Sequence, residues 1–458
     1  MSVQETNVRP RWRRILRGFA LVAVSLFLIV LVGRLAWGYV EARRLREEIS
    51  KIQAAGQPMT FKDLNAALPK VDERDDAGPY YQAAMALLRD GGSTPLWDAY
   101  NAYLDALSKS PASRPAGATA EQIDLLLKDN ALTLDMLDRG AKCPGCRFDI
   151  GVENGMGYCL ERLSRVRAIA RLVGLRALVR ASNGDADGAV DSLTCMLKML
   201  RTLDDQPVMI CFLVKVACTS LASMDAKTVL EISQPSDSAM GRLQEAFLAA
   251  DPPRSMERVM LTERVLGLEI MRDTLAGSVS LDGPRDTATN LSGQFPASGF
   301  WSRPMMQHMA VGYMQDFARF VSDAGKPWPD VLMAIQGSGE ARSTFGQIVA
   351  PPLAKMCTLT ARAVADSRCT AVAIMVERYR RTHGRLPETL ADLVPEYVRS
   401  LPVDPFTGKD LLYRHDERSY VVYSVGEDQT DSGGAVDPDE QHKQPQDNGI
   451  RIRLRATG

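Results

Sequence analysis

Four aspartates near the C-terminus have the residue type and spacing of an ion site. They fall within a dozen residues, around the turn-forming pair Gly433-Gly434, and are Asp428, Asp431, Asp437 and Asp439. Calcium binds carboxylate, carbonyl and water oxygens, and glycines allow a short loop to bend so that it can supply them. These residues make the loop a candidate calcium site, with Asp428 and Asp437 as the first ligands. A solvated acidic loop is the alternative, and composition alone favours it.

The cysteines offer a second kind of chemistry. Cys143 and Cys146 form a C-x-x-C pair, but a helical pattern precedes it, whereas a thioredoxin-type motif lies near a βαβ pattern. Zinc would need two further ligands, and no second pair supplies them. In an exported body we expect a disulfide within or near this loop, with Cys146–Cys159 as an alternative bridge. On apolar helix faces, where cysteine is usually a small core residue, lie Cys195, Cys211, Cys218 and Cys369.

Motifs of the common enzyme classes are missing from the sequence. It contains no G-x-S-x-G, no Walker loop, no H-E-x-x-H and no G-x-G-x-x-G, and its four histidines are scattered. Lys+Arg 55 against Asp+Glu 56 gives a net charge of −1, which lacks the basic face that nucleic-acid binding requires. We therefore predict no nucleic-acid partner.

A hydrophobic segment near the N-terminus has the composition of a membrane span. The uncharged run Gly18–Gly33 lies between Arg17 and Arg34, and apolar residues extend it toward the roughly 20 residues that a spanning helix needs. Arginines are denser before the run than after it, which favours an N-terminus inside the cell. We predict a cytoplasmic segment at 1–14 and a single-pass signal anchor at 15–40 in the inner (cytoplasmic) membrane, with the body exported to the periplasm. A cleaved signal peptide is the alternative, although no A-x-A site directly follows the run.

Helical periodicity dominates the middle of the chain. Apolar residues recur at spacings of three and four, which predicts a helical linker region at 41–118 and an α-helical body at 119–350. A tight turn at Gly184-Asp185 joins two of these helices. The pair resembles one tetratricopeptide-type unit, but no copy follows at a period of about 34 residues. An ordinary helical hairpin is an equally good interpretation.

The last segment, 353–458, has a different sequence pattern from the body. A long helix is expected from just after Pro351-Pro352 to His383, followed by alternating apolar segments at 411–414, 420–425 and 450–454. Alternation with β-branched and aromatic residues predicts antiparallel strands. The predicted fold class is mainly α, with a transmembrane helix, a helical body and this small α+β module.

Two motifs in this module carry a resemblance. LPVDPFTG at 401–408 and YSVGED at 423–428 follow a long helix and precede an acidic loop and a final strand. This order resembles the C-terminal half of the major pseudopilins of type II secretion, over about the last 95 residues. The resemblance implies that the loop 429–440 corresponds in position to the calcium-binding loop of that family.

The sequence also departs from the pseudopilin pattern. In a pilin the membrane helix runs directly into the long helix of the module, whereas roughly 300 residues separate them here. Gly18-Phe19 fits the start of a pilin-type processing site, but Ala23 stands where that pattern has glutamate. These departures put a pilus-type assembly role in doubt.

The body carries a resemblance of its own. Around Cys146-Arg147-Phe148, Gly184-Asp185 and Glu263-Arg264 it resembles membrane-anchored helical proteins of planctomycete-like bacteria, which often end in the same module. That resemblance brings no activity with it.

Taken together, the patterns predict a non-enzymatic envelope protein. Its helical body would be an interaction platform for protein partners, and calcium would stabilise its pseudopilin-like module. The alternatives are a minor-pseudopilin-like component of a type II secretion or pilus-like assembly, and a hydrolase whose site the motifs do not reveal.

Overall fold

The protein is mainly α-helical, as predicted. The computed structural model describes residues 12–68, 70–89, 93–109, 118–148, 156–204, 208–250, 253–276, 300, 302–337, 343–437 and 445–454. Within these ranges it contains fourteen α-helices and one three-stranded antiparallel sheet near the C-terminus.

The helices follow one another along most of the chain. Their bounds are α1 Trp12–Ala54, α2 Phe61–Ala66, α3 Gly78–Leu87, α4 Ser93–Lys109, α5 Ala118–Asp129, α6 Ala131–Gly140, α7 Met156–Ser182, α8 Ala186–Leu200, α9 Met209–Ile232, α10 Asp237–Ala249, α11 Pro253–Ala276, α12 Arg303–Ala324, α13 Asp330–Gly337 and α14 Thr344–His383. The strands are β1 Leu412–His415, β2 Ser419–Ser424 and β3 Asn448–Arg453.

The chain forms two compact units that interleave in sequence. The first comprises Met1–Thr60, Arg264–Asp316 and Arg342–Gly346, and the second comprises Phe61–Glu263, Phe317–Ala341 and Gln347–Gly458. The boundaries predicted from composition follow chain order instead, and they stay predictions.

The first unit contains the apolar N-terminal helix. From Leu16 to Ala54, α1 is long and apolar enough to cross a membrane, and side chains such as Phe19 and Ile29 are 73% and 67% exposed. A helix that leaves an apolar surface uncovered along its length has the character of a membrane anchor or of a signal sequence. The shorter helix α9 is also long and apolar enough to cross a membrane, but more than half of it is buried in the second unit, so it belongs to the core.

The helical part of the second unit is built around α7. Its neighbours are α4, α8 and α9, and Val173 and Leu175 on α7 are almost completely buried. Burial of such a side chain contributes about 1.5–3 kcal/mol. The predicted turn between α7 and α8 is present, with Gly184 at φ +85° and the Asp185 carboxylate accepting the N–H of Gly188 as an N-cap.

The C-terminal module confirms the predicted hairpin. Strand β2 pairs antiparallel with β1 on one side and with β3 on the other, in the order β1-β2-β3. The Tyr420 hydroxyl of β2 donates to the carbonyl of Ala373 on α14 at 3.0 Å, so the sheet packs on the long helix. One expectation was wrong: α14 does not begin after Pro351-Pro352 but runs through both prolines. The Ser343 hydroxyl accepts the N–H of Gly346 and caps the earlier start.

The C-terminal module and the helices α7 to α10 belong to one compact unit. Ser367 on α14 donates its hydroxyl to the Phe247 carbonyl of α10 at 3.0 Å. The Arg378 guanidinium makes two hydrogen bonds to the Asp237 carboxylate, at 2.7 and 2.9 Å. This packing places the sheet beside the helical body and positions the cleft that follows.

Candidate functional site

A cleft of about 1060 Å³ lies between α9 and strand β3, within the second unit. Small-molecule pockets commonly hold about 300–1,000 Å³, so this cleft has room for a ligand as large as a short peptide. Residues of α4, of α14 and of the acidic loop also line it, among them Leu104, Leu107, Asp366, Thr370 and Asp437.

One face of α9 forms a wall of the cleft. The lining residues recur at spacings of three and four along that helix and are Ser220, Ser223, Met224, Lys227, Thr228 and Glu231. Residues at these spacings share one side of an α-helix. Met224 is 57% exposed and gives this largely polar face an apolar centre.

The opposite wall is the outer edge of β3. On its inner side β3 pairs with β2. The hydrogen bond from the Leu454 N–H to the Arg418 carbonyl identifies the set of alternate β3 residues whose backbone groups face β2. Backbone groups alternate between the two edges of an antiparallel strand, so Gly449, Arg451 and Arg453 direct their N–H and C=O groups outward, toward α9. The outward N–H of Arg453 donates to Glu231 Oε1 at 3.0 Å. In the described part of the chain, no hydrogen bond reaches the outward N–H of Gly449 or Arg451.

The charged side chains in the cleft are paired across it. Asp437 accepts from Lys227 Nζ at 3.3 Å and from Arg451 Nε at 3.0 Å. Burial opposes ionisation of Asp437, but the two cations outweigh it and lower the pKa of the carboxyl. For Glu231, burial is the larger effect and raises the pKa, although the Arg453 N–H favours the ionised form.

Asp366 is the acidic group on the α14 side of the cleft. Burial raises its pKa to about 7, against the opposing effects of the Arg362 charge and of a hydrogen bond with Ser220.

The aspartates predicted to bind calcium point to different partners. Asp428 is exposed and accepts the N–H of Thr430, whereas Asp431 accepts from the Tyr423 hydroxyl and the Arg414 guanidinium, both at 2.9 Å. Asp437 is the bridging group described above, and Asp439 lies outside the described residues. No cluster of three or more His, Cys, Asp or Glu side chains occurs in the described ranges. The calcium site therefore stays a prediction.

A different aspartate organises this loop. Asp447 is 1% exposed, and its two carboxylate oxygens accept the N–H groups of Ser432, Gly434 and Ala435 at 3.3, 2.8 and 3.0 Å. Gly433 and Gly434 both have positive φ angles, which glycine adopts at little cost. Sequence reasoning missed Asp447 because it stands eight residues beyond the acidic run, at Asn448-Gly449 where β3 begins.

The candidate disulfide cysteines carry free thiols in the structure. No disulfide joins any of the eight cysteines, all of which lie in described segments. Cys143 and Cys146 follow α6 and are partly exposed, while Cys159 is buried in α7. The four cysteines predicted to be core residues are all buried, as expected. Cys159 contacts Cys211 of α9, with 3.7 Å between the two sulfur atoms.

Comparisons with known proteins add no assignment to this geometry. Family models, curated proteins and solved structures gave no match.

Proposed function

We propose that this chain is a membrane-anchored, non-enzymatic envelope protein that binds an extended segment of a partner polypeptide in the cleft between α9 and β3. The observation that carries the proposal is the outer edge of β3, which presents the backbone groups of Gly449 and Arg451 to the cleft.

An extended backbone is the ligand that complements such an edge. Peptides that add a strand to a sheet gain main-chain hydrogen bonds at every second residue, and side-chain pockets supply specificity. Gly449 and Arg451 are two residues apart, which matches that repeat. Met224 on α9 and the two leucines of α4, Leu104 and Leu107, offer apolar surface to alternate side chains of the bound segment.

The charges in the cleft favour binding over catalysis. Asp437 is held between Lys227 and Arg451, and Glu231 is held by a backbone N–H. Carboxylates with such partners give the cleft a fixed pattern of charge, which selects among partners more than it drives a reaction.

The membrane location follows from α1. Its exposed apolar surface supports a membrane anchor, the absence of an A-x-A site directly after the run favours an uncleaved one, and the arginine bias around it supports an exported body. A tethered body of this kind would meet its partner polypeptide at the membrane surface, in the envelope.

The proposal is tested by selecting peptides against the purified full-length protein in detergent. We expect selected peptides of about eight residues to lose binding at least about tenfold, or about 1.4 kcal/mol, when alternate backbone amides are N-methylated. N-methylation of the intervening amides should leave binding unchanged, because those groups face away from β3. Selected peptides that respond equally to methylation at both sets of positions would contradict recognition by the strand edge.

A component of a secretion or pilus-like assembly is a second candidate. The packing of the three-stranded antiparallel sheet on the long helix α14 favours it, together with the pseudopilin-like motifs at 401–408 and 423–428. Sequencing of the mature N-terminus tests this role. A chain that begins at Phe19 after cleavage at Gly18 would support it, and an intact N-terminus would exclude pilin-type processing.

A further inference from the structure

Cys159 and Cys211 are neighbours in space although 52 residues separate them in sequence. Cys159 lies in the first turn of α7 and Cys211 in the first turn of α9, and these two helices pack against each other. Both side chains are completely buried, and their sulfur atoms are 3.7 Å apart. A disulfide bond is about 2.05 Å long, so the two sulfurs need to approach by less than 2 Å.

We propose that Cys159 and Cys211 form a disulfide bond that ties the start of α7 to the start of α9. This assignment differs from the expected pairing of Cys159 with the C-x-x-C segment. Cys143 directs its sulfur to the Arg139 carbonyl at the end of α6, whereas Cys211 is the thiol in contact with Cys159.

The other buried cysteines have different surroundings. Cys195 lies near the ion pair of Arg176 and Asp138, and Cys369 lies near the carbonyl of Asn448. Neither has a second cysteine in contact, within the described part of the chain. The Cys159–Cys211 pair is therefore a specific site for oxidation among the buried thiols.

The bond forms while the chain folds, before the two thiols are buried, by thiol–disulfide exchange with a disulfide-bearing oxidant such as oxidised glutathione. The thiolate of Cys159 attacks one sulfur of the oxidant, which forms a mixed disulfide and releases one thiol. The thiolate of Cys211 then attacks the Cys159 sulfur and releases the second thiol. Two protein thiols are oxidised and one small disulfide is reduced to two thiols.

Full-length protein, unfolded and refolded into detergent with oxidised or reduced glutathione and then alkylated under denaturing conditions, tests the pair. Peptide mapping of the oxidised sample should show the peptide of Cys159 joined to that of Cys211. Closing a loop of this length constrains the unfolded chain, so the unfolding temperature should rise by about 2–6 °C on oxidation. The Cys211→Ser variant should lose both the linked peptide and the redox-dependent shift, whereas Cys195→Ser should keep both.

The peptide map of the wild-type protein tests for the Cys159–Cys211 bond even if a variant fails to fold. Alkylation of both Cys159 and Cys211 after oxidation would overturn the proposal. A linked peptide that joins Cys159 to Cys143 or Cys146 would overturn it as well.

Discussion

The backbone N–H of Arg453 donates to Glu231 Oε1 at 3.0 Å, which joins the outer edge of β3 to the last turns of α9. This contact closes one end of the cleft. It also leaves Gly449 and Arg451 farther along the same edge, facing the cleft. Binding of an extended partner segment depends on this arrangement, because Glu231 fixes how the helical wall faces the strand edge.

Removal of the Glu231 carboxylate should loosen this end of the cleft. We expect Glu231→Ala to lower the free energy of unfolding by about 1.5–3 kcal/mol, because the Arg453 N–H loses a charged acceptor. Glu231→Gln should lose less, since the amide oxygen still accepts. Chemical denaturation measures both, and Glu245→Ala, on an exposed position of α10, is the matched control. An Ala variant as stable as the control would show that the contact contributes little.

Asp447 should be the main determinant of order in the acidic loop. Asp447→Ala leaves the N–H groups of Ser432, Gly434 and Ala435 without their acceptor, at a cost of about 1–3 kcal/mol for each buried group that water does not reach. The exposed Asp428→Ala should change stability by less than about 0.5 kcal/mol. Amide hydrogen exchange at Gly434 and Ala435 provides a local measurement. Unchanged protection of these amides in Asp447→Ala would contradict this role.

Stability should fall as pH rises, because of Asp225. This aspartate is completely buried in α9 and accepts from the Tyr100 hydroxyl at 2.6 Å. Burial raises its pKa to about 7, well above its value in the unfolded chain, although the hydrogen bond with Tyr100 opposes the shift. The folded state therefore holds a proton that the unfolded state has lost between about pH 4 and pH 7, and folding becomes less favourable as pH rises through that window.

The matching experiment compares the wild type with Asp225→Asn across this range. Across this window, the unfolding free energy should fall by up to about 4 kcal/mol more in the wild type than in Asp225→Asn, taking about 1.4 kcal/mol per pKa unit. Asp366, whose pKa burial also raises to about 7, contributes a slope of the same sign to both proteins and cancels in the comparison. The exposed Asp124→Asn should keep the wild-type slope. An Asp225→Asn protein with the wild-type slope would show that the Asp225 carboxyl is not the titrating group.

Calcium remains to be tested at the acidic loop. If the loop binds the ion, calcium at about 100 times its dissociation constant should stabilise the protein by about 2.7 kcal/mol relative to chelator. Asp428→Ala combined with Asp437→Ala should remove that difference, and Asp416→Ala, in the β1–β2 turn, should not. Equal unfolding temperatures in calcium and in chelator would contradict the predicted calcium site.

Local patterns predicted the elements well and the contacts between them poorly. The alternation around Tyr420 to Val425 and the turn residues before it were sufficient for the hairpin, because both signals lie within a few residues. Glu231 and Asp447 act on backbone groups of β3 and of the acidic loop, and no local pattern predicts an acceptor for a distant N–H.

One wall of the cleft could have been predicted from the sequence of α9. Ser220, Lys227 and Glu231 lie at spacings of seven and four along the mostly apolar helix α9, a pattern that places polar residues on one face of a core helix. The partner of that face is a strand more than two hundred residues later, and its position depends on how α14 packs on α10. The same distance in sequence hides the contact between Cys159 and Cys211.

The most direct test of the central claim is a comparison of Arg451→Pro with Arg451→Ala. The N–H of Arg451 faces the cleft and takes no part in the β2–β3 ladder, so proline is tolerated there while its ring blocks the approach of another strand. Both variants lose the side-chain contacts with Asp437 and with the Gly434 carbonyl, so the alanine variant controls for them. Binding of a selected peptide, measured by fluorescence anisotropy, should weaken at least about tenfold more in the proline variant than in the alanine variant. Equal binding by the two folded variants would contradict strand addition at the β3 edge.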